Sequence, residues 1–119
     1  MLKLAGGEHG RALVVNTSSI LGRYARANTP AYSSSKAALF ALSQSVQQEL
    51  ADSGVRVTTL APAFVATPMT AAIPHLKPEE LIEPQDLAEA VRFLTRLGPN
   101  AVVPEIQFLG VRDRLLPAP

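Results

Sequence analysis

The sequence predicts an α/β fold built on parallel strands. Two short apolar runs, Ala12 to Val15 and Val55 to Ala61, flank one long run of helical periodicity, and each is bounded by residues that start or stop its class of element. Parallel strands cannot be joined by a tight turn, so strand, long helix and strand read as one βαβ crossover.

In chain order, Gly10 precedes Arg11-Ala-Leu-Val-Val-Asn-Thr-Ser-Ser, whose apolar part is bounded by small polar residues, the pattern of a buried parallel strand. Ile20 to Thr29 holds Gly22 and Asn28 without periodicity and is expected as a loop. Thr29 offers an oxygen to cap a helix and Pro30 is preorganised for the first helical position, which predicts a helix from Pro30 to about Asp52. Leu39, Leu42, Val46 and Leu50 form its expected apolar stripe, and Gly54 its stop. The second strand, Val55 to Ala61, ends at Pro62. Pro68, Pro74, Pro78 and Pro84 then punctuate Thr67 to Gln85, which predicts a mobile segment carrying a short helix. Pro84 and Asp86 start another helix, with Leu87, Val91, Leu94 and Leu97 at helical spacing and Gly98-Pro99 closing it. A last strand over Ala101 to Val111 carries Pro104, which argues for an edge or a strand start. Leu115 to Pro119 reads as a tail.

A chain of 119 residues, 47% hydrophobic and 18% charged, is expected to form a single domain over residues 1–119 with a modest core. Eleven basic and ten acidic side chains leave a net charge of +1, and the basic residues are spread from Lys3 to Arg114, so no nucleic-acid footprint is expected. The lack of cysteine excludes disulfides and thiolate metal sites and fits a reducing compartment. No apolar run approaches the roughly 18 residues of a membrane span, and Met1 to Arg11 lacks the apolar stretch of a leader, so the expectation is a cytoplasmic protein that meets no membrane.

Tyr32 and Lys36 stand four residues apart at the start of the long helix, and Ser19 lies thirteen residues before Tyr32 at the end of the first strand. Spacing i to i+4 puts phenol and ammonium on one helix face, about 6 Å of rise apart. A cation there stabilises the phenolate left when a phenol gives up its proton, which suits reduction of a ketone. His9 and His75 have no second ligand at metal spacing, and Glu79, Glu80 and Glu83 read as a solvated face, so no metal site is expected.

The run Val14-Val15-Asn16-Thr17-Ser18-Ser19, then Gly22, Pro30, Tyr32-Ser33-Ser34-Ser35-Lys36-Ala37-Ala38, Val55-Arg56-Val57 and Ala61-Pro62 resembles the short-chain dehydrogenase/reductase family. The match is close from Gly10 to about Met69 and weaker through Pro84-Gln85-Asp86-Leu87-Ala88 and Pro104-Glu105-Ile106. The resemblance implies part of a Rossmann-type doubly wound parallel sheet. It implies that Tyr32 is the general acid and base, that Ser19, with Ser18 the weaker candidate, holds the substrate oxygen, and that Lys36 assists the tyrosine and binds the nicotinamide ribose. The loop Pro62-Ala63-Phe64-Val65-Ala66-Thr67 matches the family's cofactor loop, with Thr67 expected at the carboxamide, Val65 contributing backbone, and Ala63 where the family often has Gly. The implied cofactor is NAD or NADP.

The family's Gly-rich turn between first strand and first helix has no counterpart, since Gly6, Gly7 and Gly10 precede the first strand. The chain therefore resembles the C-terminal half of such an enzyme, with Met1 near the end of the helix before the serine strand. The expected function is hydride transfer between NAD(P)(H) and a carbonyl or secondary alcohol. The alternative is a non-catalytic module that pairs with a full-length homologue or a separate N-terminal half. By resemblance, the Pro30 to Asp52 helix is expected to join copies into a homo-oligomer. Met69 to Pro84 is expected to cover a small-molecule substrate, with Ala71, Ala72, Ile73 and Leu76 favouring a partly apolar one. The isolated chain, with exposed edges, is expected to associate or aggregate.

Overall fold

The computed structural model describes residues 12–113. The expectations placed on Gly6, Gly7, His9, Gly10 and the Leu115 to Pro119 tail lie outside the described residues. Three parallel strands, β1 (Leu13–Thr17), β2 (Arg56–Pro62) and β3 (Glu105–Phe108), form a sheet in the order β1-β2-β3. Leu13 pairs with Arg56 and Thr17 with Leu60, while on the other side Thr59 pairs with Glu105 and Pro62 with Phe108. β2 is central and buried at every residue, as a strand with neighbours on both flanks should be. β1 is shifted towards Asn16 and Thr17 and is only half-buried, which corrects the expectation of a buried strand. It is the outer strand of the three, so side chains of a neighbour cover it on one flank alone.

The long helix α1 spans Pro30–Glu49 with Pro30 in its first turn. Thr29 does not cap it as expected. Its ψ of 36° lies outside the extended region that aims a cap side chain at the helix amides, and Oγ1 instead donates to the Arg26 carbonyl at 3.1 Å and meets Ser33 Oγ at 3.1 Å. The helix ends before Asp52 because the chain tightens into a 3-10 turn over Ala51–Ser53. Gly54, at φ 73°, then reverses the chain while its amide donates to the Ala51 carbonyl at 3.2 Å.

The expected apolar stripe of α1 has the right period and lies beside the most buried face of the helix. The fully buried residues are Ser33, Phe40 and Ser43, while Leu39, Val46 and Leu50 flank them half-buried and Leu42 is 54% exposed. Hydrogen bonds occupy that buried face. Asn16 Nδ2 donates to Ser43 Oγ at 2.9 Å, and Ser43 Oγ donates to the Leu39 carbonyl at 2.7 Å. Gln47 Oε1 accepts from the Val57 amide at 2.6 Å. The partner ladder on that side of β2 begins only at Thr59, whose amide donates to the Pro104 carbonyl, so Gln47 serves an amide the sheet leaves open.

Alternation along β2 sends successive residues to opposite faces. Val57 and Thr59 line the space under α1, whereas Thr58 Oγ1 donates to the Val103 carbonyl at 2.7 Å on the other side. The last strand is shorter than Ala101 to Val111. Pro104 has no amide to give and stands just before β3, the carbonyl of residue 103 is taken by Thr58, and beyond Phe108 the chain turns at Gly110, whose amide donates to Asp113 Oδ2 at 2.7 Å. Between β2 and β3, helix α2 (Pro68–Ala71) makes a single turn, a 3-10 turn covers Pro78–Glu80, and α3 (Pro84–Thr95) buries Leu94. Leu87, Val91 and Leu97 accompany Leu94 half-buried, as their spacing predicts. No helix among the described residues is long and apolar enough to cross a membrane.

Candidate active site

Parallel strands end on the same side of a sheet, so the segments leaving β1 and β2 emerge together. Ser18 and Ser19 leave β1, and Pro62 to Thr67 ends and leaves β2. The Ser18 amide donates to the Leu60 carbonyl at 2.8 Å and continues the ladder one step beyond β1. Ser18 Oγ donates to the Lys36 carbonyl at 2.7 Å, which draws the end of β1 against the second turn of α1. Ser19 follows directly, 7% exposed, and starts a 3-10 turn over Ile20–Gly22. Its Oγ accepts from the Leu21 amide at 3.1 Å, and its hydroxyl proton has no protein acceptor among the described residues.

Gly22 closes that turn because nothing larger fits. A Cβ built there would lie 2.8 Å from the Lys36 carbonyl carbon, 2.8 Å from the Phe40 ring and 2.9 Å from the Ala37 nitrogen. Arg23 completes the contact, its guanidinium 4.0 Å from the centre of the Phe40 ring and its Nε 3.0 Å from Glu105 Oε1. The loop that carries Ser19 is thus fastened to α1 and to β3.

Tyr32 and Lys36 come together as the helical spacing predicts, with Lys36 Nζ 5.7 Å from the centre of the Tyr32 ring. Tyr32 is 44% exposed, so it is no core aromatic, and Lys36 is partly covered. The Pro62 to Thr67 segment is held by other partners. The Ala63 amide donates to the Phe108 carbonyl at 2.8 Å, Val65 bridges to Ile82, and the Val65 carbonyl accepts from Thr70 Oγ1 at 2.6 Å. Ala63 needs no glycine geometry, because among the described non-glycine residues only Asn28 has a positive φ. Thr67 is exposed at the start of α2, its amide donating to Thr70 Oγ1 at 3.1 Å. No hydrogen bond among the described residues joins this segment to Ser19, Tyr32 or Lys36.

Two cavities lie away from these residues. One of about 530 Å³ lies between Lys77 to Ile82 and Leu109 to Asp113, and one of about 280 Å³ lies under α1, beside Phe40, Gln47 and Thr59. Sequence patterns gave no hint of the part played by the Ser18 hydroxyl or by Gln47, since both act through single hydrogen bonds that have no periodicity.

The model of the short chain dehydrogenase family matches residues 1–77. Among curated relatives, the chain is 34% identical over 94 residues to (3R)-3-hydroxyacyl-CoA dehydrogenase of Mus musculus, covering 71% of this chain and 36% of that protein. It is 35% identical over 103 residues to cis-4-hydroxycyclohexanecarboxylate dehydrogenase of Sinomonas cyclohexanicum, covering 79% and 41%. Among solved structures, a beta-ketoacyl-ACP reductase from Bacteroides thetaiotaomicron superposes with a TM-score of 0.75 at 34% identity, covering 93% of this chain and 45% of that one. An alcohol dehydrogenase from the archaeon Thermococcus sibiricus, solved with 5-hydroxy-NADP, gives 0.76 at 31%, covering 95% and 46%. The chain spans less than half the length of each of these proteins. With the family model matched over more than half of its residues and the family's parallel sheet reproduced across nearly all of it, the chain belongs to the short-chain dehydrogenase family.

Proposed function

We propose that this chain carries the proton-transfer site of an oxidoreductase that reduces a carbonyl or oxidises a secondary alcohol with NAD or NADP. The observation that carries the reading is the Tyr32 and Lys36 pair, with its 5.7 Å spacing and an exposed phenol, on the helix against which the Ser19 loop is fastened. In this reading Tyr32 Oη gives its proton to the carbonyl oxygen during reduction and takes it back during oxidation. The uncommitted hydroxyl proton of Ser19 hydrogen-bonds that oxygen and holds it towards Tyr32. Lys36 stabilises the phenolate that Tyr32 leaves behind. The nicotinamide, when bound, supplies or accepts the hydride.

The residues present suit the nicotinamide end of such a cofactor. Lys36 offers ammonium donors to a ribose hydroxyl, Thr67 an exposed hydroxyl, and Pro62, Ala63 and Val65 a backbone edge whose Val65 amide is the remaining donor once its carbonyl is taken. Nothing among the described residues suits the pyrophosphate. Gly22 stands between a strand and a helix as a phosphate-binding glycine would, but helix backbone fills the space in front of it. The substrate is read as a small carbonyl or alcohol compound, and a ketoacyl thioester is the first to try given what the relatives are named for. The outward Leu42 on α1 suits pairing of copies through that helix, and a cytoplasmic location fits the cysteine-free sequence.

A second reading rests on the outer edge of β1, which pairs with no strand among the described residues. There the chain acts as a non-catalytic module that docks on a full-length homologue or a separate N-terminal half. Tyr32→Phe separates the two. In a complete or complemented enzyme it deletes only the proton-bearing oxygen, so turnover of a ketoacyl thioester should fall by about 100-fold or more while thermal stability stays unchanged. A variant as active as the parent removes Tyr32 from the chemistry.

A further inference from the structure

We infer that Ser18 is a positioning residue, whose hydroxyl sets the distance between the Ser19 loop and the helix turn that carries Lys36; this rests on the reading of Ser19, Tyr32 and Lys36 as the reacting site. The two ends of its hydrogen bond are each adjacent to that site. The donor is the residue before Ser19, and the acceptor is the carbonyl of Lys36 itself, 2.7 Å away. Ser18 is 4% exposed, so water does not compete for the hydroxyl.

Four residues further on, Gly22 makes a second contact with the same helix turn. Its position lets loop backbone lie on the Lys36 and Ala37 backbone, at a closeness that a Cβ would forbid. One contact is polar and one steric, and Ser19 lies between them. Two such points on rigid backbone fix the loop against the helix, while the Ser18 amide on the Leu60 carbonyl holds it only to the sheet. Ser19 has no such anchor of its own on the helix, since its Oγ is engaged only within its own turn. The loop is also tied to β3 through Arg23 and Glu105, but that pair is partly exposed and lies beyond Gly22. A reacting group displaced by about 1 Å can lose about 100-fold in rate, so a single hydroxyl at this place has a catalytic consequence without touching substrate.

Ser18→Ala leaves no carbonyl orphaned, because the Lys36 carbonyl keeps the amide four residues on in its helix. The test compares Ser18→Ala, Ser18→Thr and Tyr32→Phe by two readouts, amide exchange in this chain and turnover in a complete or complemented enzyme. Amide hydrogen exchange over residues 19–24, without nucleotide, should rise about tenfold or more in Ser18→Ala and stay within about twofold in Ser18→Thr, which keeps the hydroxyl. In ketoacyl-thioester reduction, kcat should fall about tenfold or more in Ser18→Ala with KM for the cofactor unchanged, since Lys36 itself is intact. Unchanged exchange in Ser18→Ala overturns the inference, and so does raised exchange with the parent's kcat, which would make the bond merely structural. A Ser18→Thr variant as loose as Ser18→Ala overturns it as well, because the hydroxyl is then not what holds the loop. Loss of turnover in Tyr32→Phe beside a fully active Ser18→Ala refutes the positioning role alone. An active Tyr32→Phe refutes the site reading on which it rests.

Discussion

Gly22→Ala is the sharpest test of how the serine loop is held. The glycine does not need a left-handed backbone, since its φ is not among the positive values recorded for the described residues, so the cost of a side chain is steric. The new Cβ would lie 2.8 Å from the Lys36 carbonyl carbon and 2.9 Å from the Ala37 nitrogen, both backbone atoms of a regular helix that cannot yield, and 2.8 Å from the Phe40 ring, which is itself buried at 3% exposure. Relief therefore requires the loop to move off the helix by several tenths of an ångström. Overpacking of this kind costs about 1–3 kcal/mol. Alanine also restricts the unfolded chain, which returns about 0.4–1 kcal/mol. The net expectation is a loss of about 1–2 kcal/mol, or about 5–15 °C in midpoint for a domain near 100 residues. Thermal and urea melts of parent and variant side by side measure it. A midpoint equal to or above that of the parent would refute the close backbone contact and, with it, the fastening of the Ser19 loop to Lys36.

Gln47→Ala should destabilise by about 1–3 kcal/mol in urea melts, because the buried Val57 amide loses an acceptor that no strand replaces; Gln47→Glu, which keeps an acceptor, should recover much of it. Leu94→Ala, at 1% exposure on α3, should cost about 2–5 kcal/mol, and a loss below about 1 kcal/mol would mean that α3 does not pack as described. Arg23→Ala should cost only about 1 kcal/mol, since its side chain is 35% exposed and screened, with the contact to Phe40 surviving high salt better than the bond to Glu105. Melts at low and high salt separate the two contributions.

Local chemistry made much of this protein legible in advance. Pro30 and Gly54 bound the long helix region because ring-fixed φ and left-handed freedom are properties of single residues, readable wherever they stand. Tyr32 and Lys36 share a face because 3.6 residues per turn is a property of the helix alone. The parallel crossover followed from lengths of runs.

What needed tertiary structure was every choice between partners. On the buried side of α1, Asn16 and the Val57 amide engage Ser43 and Gln47 while Leu42 faces outward, and no periodicity in the helix itself could report donors on other strands. The start of β3 was settled beside Gln47, whose side chain accepts from the Val57 amide one step before the Thr59 amide meets the Pro104 carbonyl. Two adjacent serines were told apart in the same way. Ser18 and Ser19 are the same residue type in sequence, yet the Lys36 carbonyl at 2.7 Å engages the Ser18 hydroxyl, while the proton of Ser19 has no acceptor among the described residues. Sequence determines what each residue is able to do over a few neighbours, while packing decides which of several able residues finds its partner first.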